Sequence, residues 1–285
     1  MLDQITPVIL TYNEGPNIGR TLERLRWARD IVVVDSFSDD ETLEVVSSFS
    51  QARVYRRAFD TFAAQWTFAL NETDIKTDWV MGLDADFLLT EQLFDELKIL
   101  RPAGTTDAYR APIHYSIAGK QLRFSLLPPL VVLYRRLAAT YAADAHTYRV
   151  NVAGDVEMLR GSFLHDDRKS LNRWFHSQMR YAQLEAEKLL SANDHELNLA
   201  DRVRRLRVIA PAGILFYCLL GGGLLDGWRG LYYAMQRATA EFLLSLYLLE
   251  IDLHTRTRCA GETVIDERSD ASSLNVAGKS IDAAG

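Results

Sequence analysis

The sequence predicts an α/β protein built on a mainly parallel sheet, with a helical region after it. Three observations carry that expectation. Val8-Ile9-Leu10, Ile31-Val32-Val33-Val34 and Trp79-Val80-Met81-Gly82-Leu83 are short apolar runs bounded by polar or turn residues, the pattern of strands buried on both faces. The segments between them place apolar residues at helical spacing. Each run is followed by acidic or amide residues, which a parallel sheet would gather at its C-terminal edge, where open α/β sheets bind ligands.

The elements follow in order. Gly15-Pro16 breaks the chain after the first strand, and Asn17 is placed to cap a helix with Ile18, Leu22 and Leu25 on one face. After the second strand, Ser38-x-x-Glu41 reads as a capping box opening a helix with Leu43 and Val46 inward. Val54-Tyr55 is a third strand, and Asp60 starts a helix carrying Phe62, Trp66 and Leu70. After the strand ending at Asp84, Thr90 caps a helix with Leu93, Leu97 and Leu100.

From Ala108 to Phe163 the pattern is richer in strands, with hairpin turns expected at 117–121 and 152–156. Ser170 to Leu190 is a long helix. Four arginines (Arg202, Arg204, Arg205 and Arg207) then precede an uncharged run from Val208 to Leu225, and Leu231 to His254 is a further helix. The expected organisation is a catalytic-type α/β domain over 1–192, a helical region over 193–257 and a disordered tail over 258–285, where periodicity is lost.

Composition narrows the function. A chain of 285 residues with 48% hydrophobic and 25% charged residues is an ordinary folded protein with a substantial core. Its net charge of −6 argues against a general nucleic-acid binder. Cys218 and Cys259 form no CxxC or zinc spacing, which fits incidental thiols in a reduced compartment. The first residues lead into a strand without the basic and apolar regions of a signal peptide.

The chemistry centres on Asp84-Ala85-Asp86. In an extended chain, residues i and i+2 share a face, so both carboxylates project from the strand end and repel unless a cation joins them. Mg²⁺ or Mn²⁺ suits oxygen ligands of this kind and is completed by substrate phosphates. The bland alternative is a solvated loop after a strand. Asn13 and Glu14 after the first strand, with Asp35 after the second, would share the same edge.

These segments resemble a family. Ile9-Leu10-Thr11-Tyr12-Asn13-Glu14, Val32-Val33-Val34-Asp35-Ser36 through Asp39-Asp40-Glu41-Thr42, and Asp84-Ala85-Asp86 are together similar to family 2 inverting glycosyltransferases of the GT-A fold. The similarity extends in particular to bacterial members that build lipopolysaccharide core or related surface glycans.

The resemblance implies that Asp35 contacts the nucleotide base and that Thr11, Asn13 and Glu14 line the nucleotide pocket. It also implies that Gln65 and Trp66 belong to a segment facing the donor, that Asp84 holds the ribose or a metal-bound water, and that Asp86 ligates a divalent metal. His165 would complete the metal shell, Arg168 and Lys169 would hold diphosphate oxygens, and Asp144 would be the base, with His146 as an alternative. Thr67 stands where the family pattern has Asn.

The reaction implied moves a sugar from a nucleotide-diphosphate sugar, UDP-linked, to a hydroxyl of a lipid-anchored or surface glycan. The alternatives are a polyprenyl-phosphate sugar transferase and a non-catalytic nucleotide-sugar-binding or membrane scaffold protein. The uncharged run, interrupted by Pro211 and Gly221-Gly222-Gly223, suits a monotopic hairpin on the cytoplasmic face of the inner membrane, with the arginines at the headgroups. Its alternative is a helical hairpin packed on protein or at an oligomer interface.

Overall fold

In a computed structural model the chain is described at residues 1–144, 147–193, 197, 199–207 and 209–274; the side chains of 143–149 and from 255 onward lie outside the described residues. Of the tail expected to be disordered over 258–285, residues 258–274 continue the last helix, and 275–285 lie outside the described residues.

Seven strands form the main sheet. They are β1 (Ile5–Thr11), β2 (Ile31–Asp35), β3 (Ala52–Arg56), β4 (Trp79–Asp84), β6 (Thr106–Ala111), β9 (Leu130–Arg135) and β12 (Asp155–Met158), in the spatial order β12-β6-β9-β4-β1-β2-β3. The intervening strands are β5 (Phe87–Leu89), β7 (Ile113–Ile117), β8 (Lys120–Gln121), β10 (Ala139–Asp144) and β11 (Thr147–Val152), and β13 (Phe163–His165) closes the series. Only β9 runs against its neighbours in the main sheet, so the predicted parallel character holds.

The helices are α1 (Gly15–Arg24), α2 (Thr42–Ser47), α3 (Phe62–Glu72), α4 (Glu91–Ile99), α5 (Leu171–Ser191), α6 (Leu199–Arg205), α7 (Ile209–Leu220) and α8 (Trp228–Leu274).

Strand alternation sorts the core into two layers. Ile9, Ile31, Val33, Met81 and Leu83 face Ile18, Leu22 and Leu25 of α1, Val46 of α2 and Leu93 of α4. Val8, Val32, Val34 and Val80 face Trp66, Ala69 and Leu70 of α3. The Trp66 ring stacks on Tyr141 at 5.3 Å and 5°, which ties α3 to the β10–β11 hairpin. Gly82 makes room for that ring, since a Cβ there would lie 3.2 Å from it and 2.8 Å from the Tyr134 hydroxyl.

Several local expectations hold. Thr90 caps α4, its hydroxyl accepting from Leu93 N, and Ser170 caps α5 in the same way through Arg173 N. Residues 117–121 form the β7–β8 hairpin, with Ala118 and Gly119 in the left-handed region.

Others are corrected. Residues 152–156 make no hairpin: β11 pairs with β10, whereas β12 joins β6 in the main sheet, so the chain changes sheets there. Thr61, not Asp60, caps α3. Three of the four arginines before the apolar run turn to protein rather than to headgroups. Arg204 binds Glu241 at 2.9 Å, Arg205 binds the Leu189 and Ala192 carbonyls, and Arg207 pairs with Asp252.

The link from β12 to β13 is pinned against α4. Glu96 accepts from Arg160 N and Gly161 N, and Thr90 Oγ1 donates to Ser162 O at 2.7 Å. A Cβ on Gly161 would sit 2.3 Å from Leu93 Cα, a backbone atom that cannot turn aside. Gly161→Ala is therefore expected to cost about 2 kcal/mol in urea unfolding, the range of core overpacking, and to displace β13.

Candidate active site

Parallel register brings the three sequence motifs to one edge. Thr11 stands opposite Asp35, and Leu10 opposite Asp84. Asp35 is fully buried. Its Oδ1 accepts from Thr11 Oγ1 at 3.1 Å and from the Ser38 hydroxyl, and its Oδ2 accepts from Ser38 N at 2.9 Å. Ser38 is thus committed to Asp35 and caps no helix. α2 starts at Thr42 with Glu41 at its N-cap and without a side-chain cap, which corrects the capping-box expectation.

The loops after β1 and β2 are joined further. Asn13, in the left-handed region, accepts from Asp39 N, and Asn13 N donates to Ser38 Oγ. Glu14 N donates to Thr42 Oγ1 at 2.6 Å. Gln65 reaches the same edge from α3, donating to Ser36 Oγ and Arg57 O while accepting from Arg57.

A second group forms around Asp86. β13 pairs antiparallel with β5, setting His165 opposite Phe87, and Asp166 N donates to Asp86 O. This pairing delivers His165 Nε2 to 3.3 Å from Asp86 Oδ2. The imidazole is held between Tyr115, at 4.4 Å, and the edge-on Phe87 ring, at 5.5 Å. Lys169 Nζ lies 2.7 Å from Glu14 Oε1, 3.4 Å from Asp167 Oδ1 and 3.9 Å from Asp86 Oδ2.

The electrostatics follow from this crowding. Burial opposes the charged form of Asp86, but His165 and Lys169 outweigh it and hold the carboxyl well below the usual range. Burial likewise works against a charged His165, yet Asp86 and the neighbouring carboxylates raise its pKa. The same balance raises Lys169.

Asp84 differs: its side chain reaches solvent but is ringed by protein. Desolvation pushes it up to about 7, Asp86 and Glu14 adding to the rise and His165 and Lys169 opposing it. For so accessible a group, water screens part of that effect. Glu14 is raised by burial, against the pull of Lys169, with Asp86 adding to the rise.

Asn17 is the residue that sequence reasoning misplaced. It lies inside α1, fully buried, and caps nothing. Its Nδ2 donates to Glu14 Oε2 and Asp167 Oδ1, and its Oδ1 accepts from Arg20 and from Arg168 N, each at 2.8–2.9 Å. Arg20 continues the link to Asp166, and Thr21 to Ala85 O. A signal was present: Asn17, Arg20, Thr21 and Arg24 form a polar ridge at helical spacing beside Ile18, Leu22 and Leu25.

Arg168 is half exposed, its guanidinium 3.0 Å from Asp166, and it lines an open cleft of about 430 Å³ with Asp167, Ile117, Ala118 and Tyr232. Asp144 ends β10 at the turn of its hairpin. The Asp144 side chain and His146 lie outside the described residues.

Two atoms bear on a metal. Asp86 Oδ1 and His165 Nδ1 are buried without a hydrogen-bond partner among the described residues. No cluster of three or more His, Cys, Asp or Glu side chains arranged for a metal ion occurs among the described residues. Asp86 thus offers an orphaned carboxylate oxygen, Oδ1, and the His165 imidazole stands against its other oxygen, Oδ2. That donor set suits Mg²⁺ or Mn²⁺ if substrate phosphates and water complete the shell.

The chain is similar to several known proteins. An uncharacterised glycosyltransferase of Rickettsia typhi is 24% identical over 96% of both chains. Another, from Rickettsia bellii, is 33% identical over 38% of this chain and 36% of its own. Among solved structures, residues 1–349 of Staphylococcus aureus TarS in complex with UDP-GlcNAc align with a TM-score of 0.49 at 14% identity, over 88% of this chain and 92% of that one. Glucosyl-3-phosphoglycerate synthase of Mycobacterium tuberculosis, solved with Mn²⁺, UDP and product, aligns at 0.45 and 15% identity, over 66% and 79%.

The sheet, its acidic edge and the full-length relatives define the class: the protein is a glycosyltransferase. Residues 6–109 match Glycosyl transferase family 2.

Proposed function

We propose that the protein transfers a sugar, with inversion at the anomeric carbon, from a nucleoside-diphosphate donor, UDP-linked, to a hydroxyl of a glycan or glycolipid. The observation that carries this reading is the buried Asp86, with an orphaned oxygen, set beside His165 and Lys169 at the edge where β1, β2 and β4 end.

In this reading the loops of Thr11, Asn13 and Glu14 and of Ser36 to Asp39 wall the nucleotide pocket. Asp35 fixes them through Thr11 and Ser38, and Gln65 closes the side nearest Ser36. Asp86 and His165 would hold the divalent ion, and Asp84, still open to solvent, faces the donor. When bound, the ion supplies positive charge for the leaving diphosphate. Lys169 and Arg168 add fixed cations beside it. The acceptor saccharide occupies the cleft of Ile117, Asp167, Arg168 and Tyr232, where an aromatic ring stands beside a charged pair. A carboxylate takes the acceptor hydroxyl proton as the glycosidic bond forms, and Asp144 is the candidate for that role.

A panel of nucleotide sugars, assayed for nucleoside-diphosphate release with Mg²⁺ or Mn²⁺ and again with EDTA, tests the proposal. Release from one donor class that EDTA abolishes is the expected result. Absence of both binding and release across the panel would overturn it.

A further inference from the structure

The corner between α7 and α8 combines features that no step of the transfer reaction uses. Its inner side is packed: Cys218, Tyr233 and Ala234 meet Leu122, with Tyr115, Phe124 and Leu126 around them. Its outer side is bare and apolar. Leu220, Leu224 and Leu225 are 76%, 65% and 69% exposed, and Phe216, Tyr217 and Trp228 stand out beside them. Scattered exposed apolar residues are ordinary, but a contiguous set of this size marks a contact surface.

Charge identifies the occupant. Ile209 to Leu225 carries no charged residue, and the acid that follows, Asp226, is turned inward. Its carboxylate is 2% exposed and accepts from Arg123 N at 2.8 Å. Basic side chains border the corner: Lys120; Arg123, 67% exposed with its Nε 3.9 Å from the Asp226 carboxylate; and Arg229, which donates to Ile117 O and whose guanidinium lies 4.6 Å from the Trp228 ring centre.

We propose that this corner seats the protein on a bilayer surface bearing anionic headgroups, with Leu220, Leu224, Leu225 and Trp228 at the acyl boundary and Lys120, Arg123 and Arg229 at the headgroups. A tryptophan with an apolar body and a polar edge suits that level of a membrane. Among the described residues no helix is long and apolar enough to cross a membrane. An apolar corner ringed by cations suits interfacial seating instead.

A second copy of the chain is the poorer occupant. A self-complementary interface would bring the same basic rims together, and they would repel. Tyr232 follows Trp228 by one helical turn, so seating of this kind brings the cleft close to the lipid. The inference does not depend on the donor chemistry, and either can fail without the other.

Flotation of the full chain with phosphatidylcholine vesicles, with and without phosphatidylglycerol, reads the seating directly. The wild type is expected to float with the anionic vesicles and much less with the neutral ones. Leu224→Asp combined with Leu225→Asp should abolish flotation while leaving the circular dichroism spectrum and nucleotide-sugar turnover unchanged. Trp228→Phe should remove the fluorescence quenched by brominated lipid, and Lys120→Glu should weaken flotation on anionic vesicles alone. A wild type that stays in the soluble fraction, or a double variant that floats as well as the wild type, would overturn the proposal. So would a wild-type dimer in sedimentation that the double variant converts to monomer without any vesicle binding.

Discussion

Asp86→Asn is expected to lower glycosyl transfer by about a hundredfold or more, the scale seen when a group stabilising transition-state charge is removed. The substitution keeps the side-chain shape and deletes one charge. In the fold that charge lies 3.3 Å from His165 Nε2 and 3.9 Å from Lys169 Nζ, and these two neighbours hold it ionised against the cost of burial.

The cluster can absorb the loss, because Lys169 retains Glu14 at 2.7 Å and Asp167 at 3.4 Å. The melting temperature should therefore change little. Metal titration should show weaker binding, since a neutral amide is a poorer partner for a divalent ion than a carboxylate. Turnover that survives in Asp86→Asn with Mn²⁺ supplied would place the diphosphate site elsewhere.

The donor edge was legible because parallel strands buried on both faces leave near-continuous apolar runs. Val8, Val32 and Val80 on one face and Ile9, Val33 and Met81 on the other left the register little freedom. The polar residues after each run then had to share an edge.

What could not be read was the use of each polar group. Capping rules put Asn17 at the start of a helix, yet Pro16 already marks that start, and Glu14 is the N-cap. Inside the helix, Asn17 bonds across the fold to Asp167 and Arg168 as well as along the chain to Glu14 and Arg20. Ser38 met the capping-box spacing, but a buried Asp35 needs donors and claims both its hydroxyl and its N–H.

His165 is a different case. Its approach to Asp86 depends on β13 pairing with β5, a long-range event with no local sequence pattern, and it was reached through resemblance alone. The arginines before α7 were misread because a run of basic residues beside an apolar stretch looks the same whether its partners are headgroups or the acids of α8. Tertiary pairing decided between them. Lys120, Arg123 and Arg229, the basic residues around the exposed corner, lie apart from that run in sequence.

Asn17→Ala should have the largest effect on stability of the changes near the site, about 3 kcal/mol, with a matching loss of transfer. All four hydrogen-bonding positions of the Asn17 amide are filled, and the residue is fully buried. Alanine strands the partners together: Glu14 Oε2 and Asp167 Oδ1 lose a donor, while Arg168 N and the Arg20 guanidinium lose an acceptor. Each buried group left unpaired costs about 1–3 kcal/mol, and relaxation toward water recovers part of the sum.

The cost falls on function because the stranded groups hold the 166–169 segment, and with it Lys169, against α1. Asn17→Asp separates geometry from chemistry. It fits the same space but turns the two Nδ2 donors into an acceptor facing Glu14 and Asp167. It should therefore be at least as harmful as alanine, although it keeps the bonds to Arg20 and Arg168 N. Chemical unfolding of both variants, with kcat and KM for the donor, makes the comparison. If Asn17→Ala unfolds at the wild-type midpoint with wild-type turnover, the amide is not what joins α1 to the site.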